Sequence, residues 1–114
     1  MDLKLMKLST KDVINMYVWT SSLNYKIKDF IKLHEEDEEL SIILDDIYTT
    51  NNEFIEFLDQ LNRFSTTKEL ESSVSFNTFN YHVYTLHQKI KQYKDILDFL
   101  FIFNYEVLES YVME

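Results

Sequence analysis

The chain has 114 residues and a mass of 13.9 kDa, is 46% hydrophobic and 27% charged, carries a net charge of −9, and contains no Gly, Pro or Cys. Its length fits one globular domain, and the missing residues exclude P-loops, dinucleotide-binding turns, nucleophile elbows, disulfides and Cys-ligated metals. The longest apolar run, Ile96 to Phe103, is interrupted by Asp98 and falls far short of the ~20 residues that span a bilayer, so a cytoplasmic protein with no membrane contact is expected.

Helical periodicity runs through most of the sequence. The first helical region covers about residues 10–33, capped by Ser9 or Thr10 with Asp12 behind, and carries Val13, Met16, Tyr17, Leu23, Ile27, Phe30 and Ile31 at helical spacing. The polar cluster Thr20-Ser21-Ser22 offers a place to break it in two. The acidic run 35–39 reads as a solvated turn or as the first turn of the next helix, where it complements the dipole. That helix covers about 38–48 with Leu40, Ile43, Leu44 and Ile47 on one stripe, and Thr49–Asn52 is predicted as a connection.

Two capping boxes follow, Thr50-x-x-Glu53 and Thr66-x-x-Glu69. The first opens a helix with Phe54, Phe57, Leu58, Leu61 and Phe64 inside, the second a short helix with Leu70 and Val74 inside. Ser75-Phe76-Asn77 is predicted as a turn, because Asn tolerates left-handed backbone. A long helix then covers about 78–93. Ile96, Phe99, Leu100, Phe103, Val107, Leu108 and Tyr111 fit a buried helix over 95–112, with a strand over 97–103 as the alternative. The expected fold is all-α: a single domain, 1–114, formed by a compact bundle of five or six helices. Within it, N-terminal helices occupy 1–48, a helix-turn-helix 50–94, and an apolar helix 95–114.

Charge is unevenly spread. Residues 1–34 are net +3, 35–71 net −10, 72–94 net +3 with no acid at all, and 95–114 net −5. In the acid-free stretch Phe79, Val83, Leu86 and Ile90 form one narrow core stripe. At ~100° per residue, Asn77, Tyr81, Tyr84, Gln88 and Gln92 point the other way, flanked by Thr78 and Thr85 on one side and Lys91 on the other. Amides and hydroxyls can read base edges, and Lys meets phosphate. Asn77, Thr78, Tyr81, Tyr84, Thr85 and Gln88 are therefore the candidate base-facing residues. Lys68, Lys89, Lys91 and Lys94 are the candidate phosphate contacts.

The run Val74-Ser75-x-x-Thr78-Phe79 followed by Val83, Leu86 and Ile90 resembles the turn and recognition helix of bacterial helix-turn-helix regulators, with the Phe54–Leu61 helix in the place of their first helix. The nearest families are winged-helix regulators of the MarR/SarA type and Mga-like domains. The resemblance covers about residues 50–94 and implies a dimer whose recognition helix enters the major groove of double-stranded DNA. It puts Thr78 near the start of that helix, with Tyr81 and His82 near its exposed middle. The turn lacks Gly, no basic wing follows Lys94, and Arg occurs once in the chain.

The other candidates point to no chemistry. His82 and His87 are five apart and share no helix face, and His34, His82 and His87 read as surface residues. Asp45, Asp46, Glu53, Glu56 and Asp59 read as a solvated face. No catalytic set, metal site or cofactor is expected. Phe, Trp and Tyr make up 16% of the chain, either as a large aromatic core or as a partner surface near Trp19, in which case a homodimer through the first helix or the tail would use it. Two functions stand open. One is a small transcriptional regulator acting by operator occupancy. The other is an acidic protein-binding module, an inhibitor or adaptor that could imitate DNA, whose segment 35–71 faces a basic partner.

Overall fold

The computed structural model describes residues 8–64, 70, 72–93 and 105–111. Among these, every regular element is a helix, and there are four rather than five or six: α1 (Thr10–Leu33), α2 (Glu38–Phe64), α3 (Ser73–Gln92) and α4 (Tyr105–Glu109). The predicted helix behind Thr66-x-x-Glu69 and the residues Ile96, Phe99, Leu100 and Phe103, with the alternative strand over 97–103, lie outside the described residues except for Leu70 and Val74, and Val74 belongs to α3 instead.

α1 starts where its cap predicts. The Ser9 hydroxyl accepts from the Asp12 amide at 3.1 Å, filling one of the orphan donors of the first turn. The helix does not break at Thr20-Ser21-Ser22. The Thr20 hydroxyl turns back instead and donates to the Met16 carbonyl at 2.7 Å. After a turn at 34–37, the Asp37 carboxylate accepts from the Leu40 amide at 3.1 Å. Glu38 and Glu39 supply acid to the first turn of α2. The acidic run thus has the turn-and-helix-start role expected of it, with all five residues exposed.

α2 corrects the sequence reading most. It runs unbroken for 27 residues, straight through the predicted Thr49–Asn52 connection and the predicted Thr50 cap. Thr50 does not cap anything: its hydroxyl donates to the Asp46 carbonyl at 3.0 Å, one turn back inside the helix. α3 brings a second correction. Ser75-Phe76-Asn77 is not a turn but the first turn of the helix, which begins at Ser73. The cap is Ser72, whose hydroxyl accepts from the Ser75 amide at 3.1 Å. Thr78, predicted near the helix start, sits inside it and donates to the Val74 carbonyl at 2.8 Å.

α1 and α2 form an antiparallel hairpin. Val13, Met16, Thr20, Leu23 and Ile27 of α1 face Leu44, Ile47, Asn51, Phe54 and Leu58 of α2, all buried. Spacings alternate between three and four on both sides, the pattern of a left-handed helix pair. α3 runs antiparallel to α2 and adds Phe79, Val83, Leu86 and Ile90 to the same core. Each such side chain contributes about 1.5–3 kcal/mol when fully buried. Trp19 also belongs to this core rather than to an exposed patch. Val74 and Val107, predicted inward, are exposed. Leu108 is buried, and Tyr111 reaches across to donate to the Asp12 carboxylate at 3.2 Å. The long axis is 47 Å, close to the ~40 Å of α2 itself.

A polar layer interrupts the hairpin core at mid-length. The Asn51 amide nitrogen donates to the Thr20 carbonyl at 2.8 Å and to the Asn24 side-chain oxygen at 2.7 Å. Asn24 in turn donates to the Asn52 side chain at 2.6 Å. Asn51 is fully buried, and its own oxygen has no hydrogen-bond partner. Had the helices slipped by one heptad, these amides would face leucine and isoleucine, so the layer fixes the register.

Candidate interaction face on the third helix

The heptad that buries Phe79, Val83, Leu86 and Ile90 leaves the opposite side of α3 to solvent. Asn77, Tyr81, Tyr84, Gln88 and Lys91 are exposed there, while Thr78 and Thr85 on its flank are half-buried. Tyr81 keeps 64% of its surface and Tyr84 53%. The face carries no carboxylate. Of the four candidate lysines, Lys68 and Lys94 lie outside the described residues. Lys89 does not stand free: its ammonium donates to both Asp46 carboxylate oxygens at 3.1 and 2.9 Å. The Tyr93 hydroxyl donates to the same carboxylate at 3.3 Å. The bond to Asp46 raises the Lys89 pKa, which keeps the ammonium charged. Lys91 remains exposed.

Two contacts bind this face to α2: the Lys89–Asp46 pair at one end and His82 at the other. The His82 imidazole stacks on Phe54 with centroids 5.4 Å apart and on Phe57 at 5.2 Å. Tyr81 meets its ring edge-on at 5.5 Å. Beside this seam runs the outer stripe of α2, on which Asp45, Glu53 and Glu56 are exposed. Glu53 is close enough to His82 to act on its charge. A tyrosine face without carboxylates and an acidic stripe therefore share one surface. Sequence reasoning missed the Asp46 partner and the His82 stack, because both are contacts between helices.

The histidines divide. His34 is exposed as predicted, His82 is half-buried, and His87 is buried against the expectation, sitting between Leu86 and Ile90 on the inward side of α3. Burial lowers the pKa of His82, with Glu53 opposing, and lowers that of His87, with Glu109 opposing and Lys91 assisting. The unfolded chain therefore binds protons that the folded chain refuses. This contribution is fully present above the ordinary value of 6.5 and is lost as pH falls below it. The urea midpoint is expected to be lower at pH 5.5 than at pH 7.5 (values set to straddle the usual histidine range, ~6.5), and less pH-sensitive in a His82→Gln/His87→Gln variant. Equal pH sensitivity in that variant would reject the assignment.

Among the described residues, no group of three or more His, Asp or Glu is placed to hold a metal ion, and no helix is long and apolar enough to cross a membrane. No family model, curated protein or solved structure matches the chain. The likeness to helix-turn-helix regulators therefore rests on its residues alone.

Proposed function

We propose that this chain is a non-catalytic protein-binding module that docks its partner on the joint outer surface of α2 and α3. The observation that carries this reading is the pair of exposed tyrosines, Tyr81 and Tyr84, on a face without carboxylates. Tyrosine offers a large amphipathic contact at little cost in side-chain entropy. The centres of protein interfaces are poor in charge and rich in such residues. Asp45, Glu53 and Glu56 along the adjoining stripe supply an acidic rim, which fits a partner ringed by Lys and Arg and speeds their encounter. The proposal places the module in the cytoplasm, where a Cys-free chain needs no oxidative folding.

Operator binding is the second reading. It is favoured by one observation: Asn77, Tyr81, Tyr84 and Gln88 all face solvent on one side of α3, as a base-reading helix requires. Electrostatics ranks it lower. Phosphate contacts need available cations, Lys89 is engaged by Asp46, and the neighbouring stripe would bring carboxylates toward the DNA backbone.

Tyr81 and Tyr84 serve both readings, so the class of molecule bound decides between them, with a Tyr81→Ala/Tyr84→Ala variant testing the face. Immobilised wild type is expected to retain a protein from the source lysate that the variant loses by ~10-fold or more, with melting behaviour unchanged because both residues are exposed. Retention should weaken as salt rises. Equal retention by wild type and variant rejects the module. Binding of random-sequence duplex at roughly 50 mM salt that falls steeply with salt, and falls again on Lys91→Ala, replaces the module with the operator reading.

A further inference from the structure

Among the described residues, nothing covers the outer face of α1. Ile14, Val18 and Tyr25 keep 46%, 62% and 73% of their surface. At ~100° per residue they lie within roughly 40° of one another, on the side opposite the residues that pack on α2. From Val13 to Tyr25, between Asp12 and Lys26, α1 carries thirteen residues without a charge. Single exposed apolar residues are ordinary, but three aligned on an uncharged helix face, with only the small Ser21 and Ser22 between Val18 and Tyr25, make a stripe of the kind that marks an association surface. Exposed charges stand at its two ends, Lys11 at the first and Lys28, Asp29 and Lys32 at the second. Lys28 is taken up by the Tyr48 ring of α2. Lys11 and Asp29 share one flank of the stripe, and neither has an ion-pair partner among the described residues.

We propose that this stripe is the dimer face of the protein and that its occupant is a second copy of the chain, with the two α1 helices antiparallel about a two-fold axis near residue 20. The charges argue for that partner and that direction. In an antiparallel pair with its axis near residue 20, positions equally far from residue 20 on opposite sides face each other, so Lys11 of one copy comes opposite Asp29 of the other, twice. The same register sets Tyr25 beside the second copy's Ile14 and lets Val18 pack against its small Ser22. In each pair the residue numbers sum to about 40, which is what an isologous contact demands. A parallel pair would instead set lysine against lysine and aspartate against aspartate. One pair of helices of this length falls at the low end of specific interfaces, below about 1,200 Å², so the dimer forms with concentration rather than being obligate. It uses no residue of the α2–α3 surface, so each dimer would present that surface twice and bind a multivalent partner with avidity.

Sedimentation of the full chain from about 1 μM to 1 mM, a span bracketing weak association, tests this directly. Wild type is expected to move from one chain toward two, and Val18→Glu to stay a monomer with unchanged melting. Lys11→Glu should weaken the dimer, and Lys11→Glu/Asp29→Lys should restore it. Because the chain has no Cys, single cysteines report the direction of the helices. Ser21→Cys, beside the axis, should oxidise to a covalent dimer. Lys11→Cys, ~27 Å from its equal in the antiparallel pair, should not. A wild type that is monomeric throughout, a dimer that survives Val18→Glu, failure of Ser21→Cys to cross-link, or cross-linking through Lys11→Cys each overturns the proposal. Val18→Glu leaves Tyr81 and Tyr84 in place, so the dimer and the partner surface fail or stand separately.

Discussion

Asn51→Asp is expected to destabilise the domain by about 3–5 kcal/mol, the usual cost of a buried charge without a partner, whereas Asn51→Leu is expected to stabilise it. The Asn51 nitrogen donates to two oxygens, the Thr20 carbonyl and the Asn24 side chain. Aspartate loses both donors and turns a negative charge toward those oxygens. Leucine forgoes two hydrogen bonds worth ~1 kcal/mol each, but it removes a buried unpaired acceptor that costs ~1–3 kcal/mol. It also gains ~1.5–3 kcal/mol of apolar burial. The balance favours leucine by about 0.5–4 kcal/mol. Urea unfolding of the two variants measures both signs. A leucine variant less stable than wild type would show that the polar layer is worth more than its unpaired oxygen costs.

Phe54→Ala is expected to cost about 3–5 kcal/mol, a large share of the 5–15 kcal/mol that holds a domain together. Phe54 is fully buried. It meets the Phe79 ring edge-on at 5.6 Å and lies flat against His82, with 6° between the planes. Truncation therefore opens a cavity where α2 holds α3. The melting temperature should fall by roughly 10–20 °C. Hydrogen exchange should show α3 amides losing protection ahead of those in α1. Uniform loss across all helices would mean that α3 is not a separately docked element.

The apolar spacing made the helices and their inward stripes legible. Val13, Met16, Leu23 and Ile27, then Ile43, Leu44 and Ile47, then Phe79, Val83, Leu86 and Ile90 all face the core as the pattern requires. What misled was threonine. Thr20, Thr50 and Thr78 were each assigned to a break, a cap or a helix start, and each instead donates to the carbonyl four residues back within an unbroken helix. The same atoms that cap a helix from outside can bond backward from inside, and local sequence does not separate the two. The decisive signal was longer in range. Leu44, Ile47, Asn51, Phe54, Leu58 and Leu61 keep alternating spacings of four and three straight through the supposed connection, once a buried Asn is admitted to the series. On α3 the outward set was legible, as Asn77, Tyr81, Tyr84 and Gln88 are all exposed. The pairing of Lys89 with Asp46 spans 43 positions and left no trace in any local pattern.

The short turn at 34–37 has a kinetic consequence. It joins two long helices that are neighbours in the chain, so the α1–α2 contacts form with little loop-closure entropy. Topologies dominated by such local contacts fold in microseconds to milliseconds. The hairpin can assemble as soon as its two arms exist, and α3 then finds a preformed surface. Order of synthesis and order of assembly coincide in this chain, which shortens the time that its aromatic core stands open to other molecules.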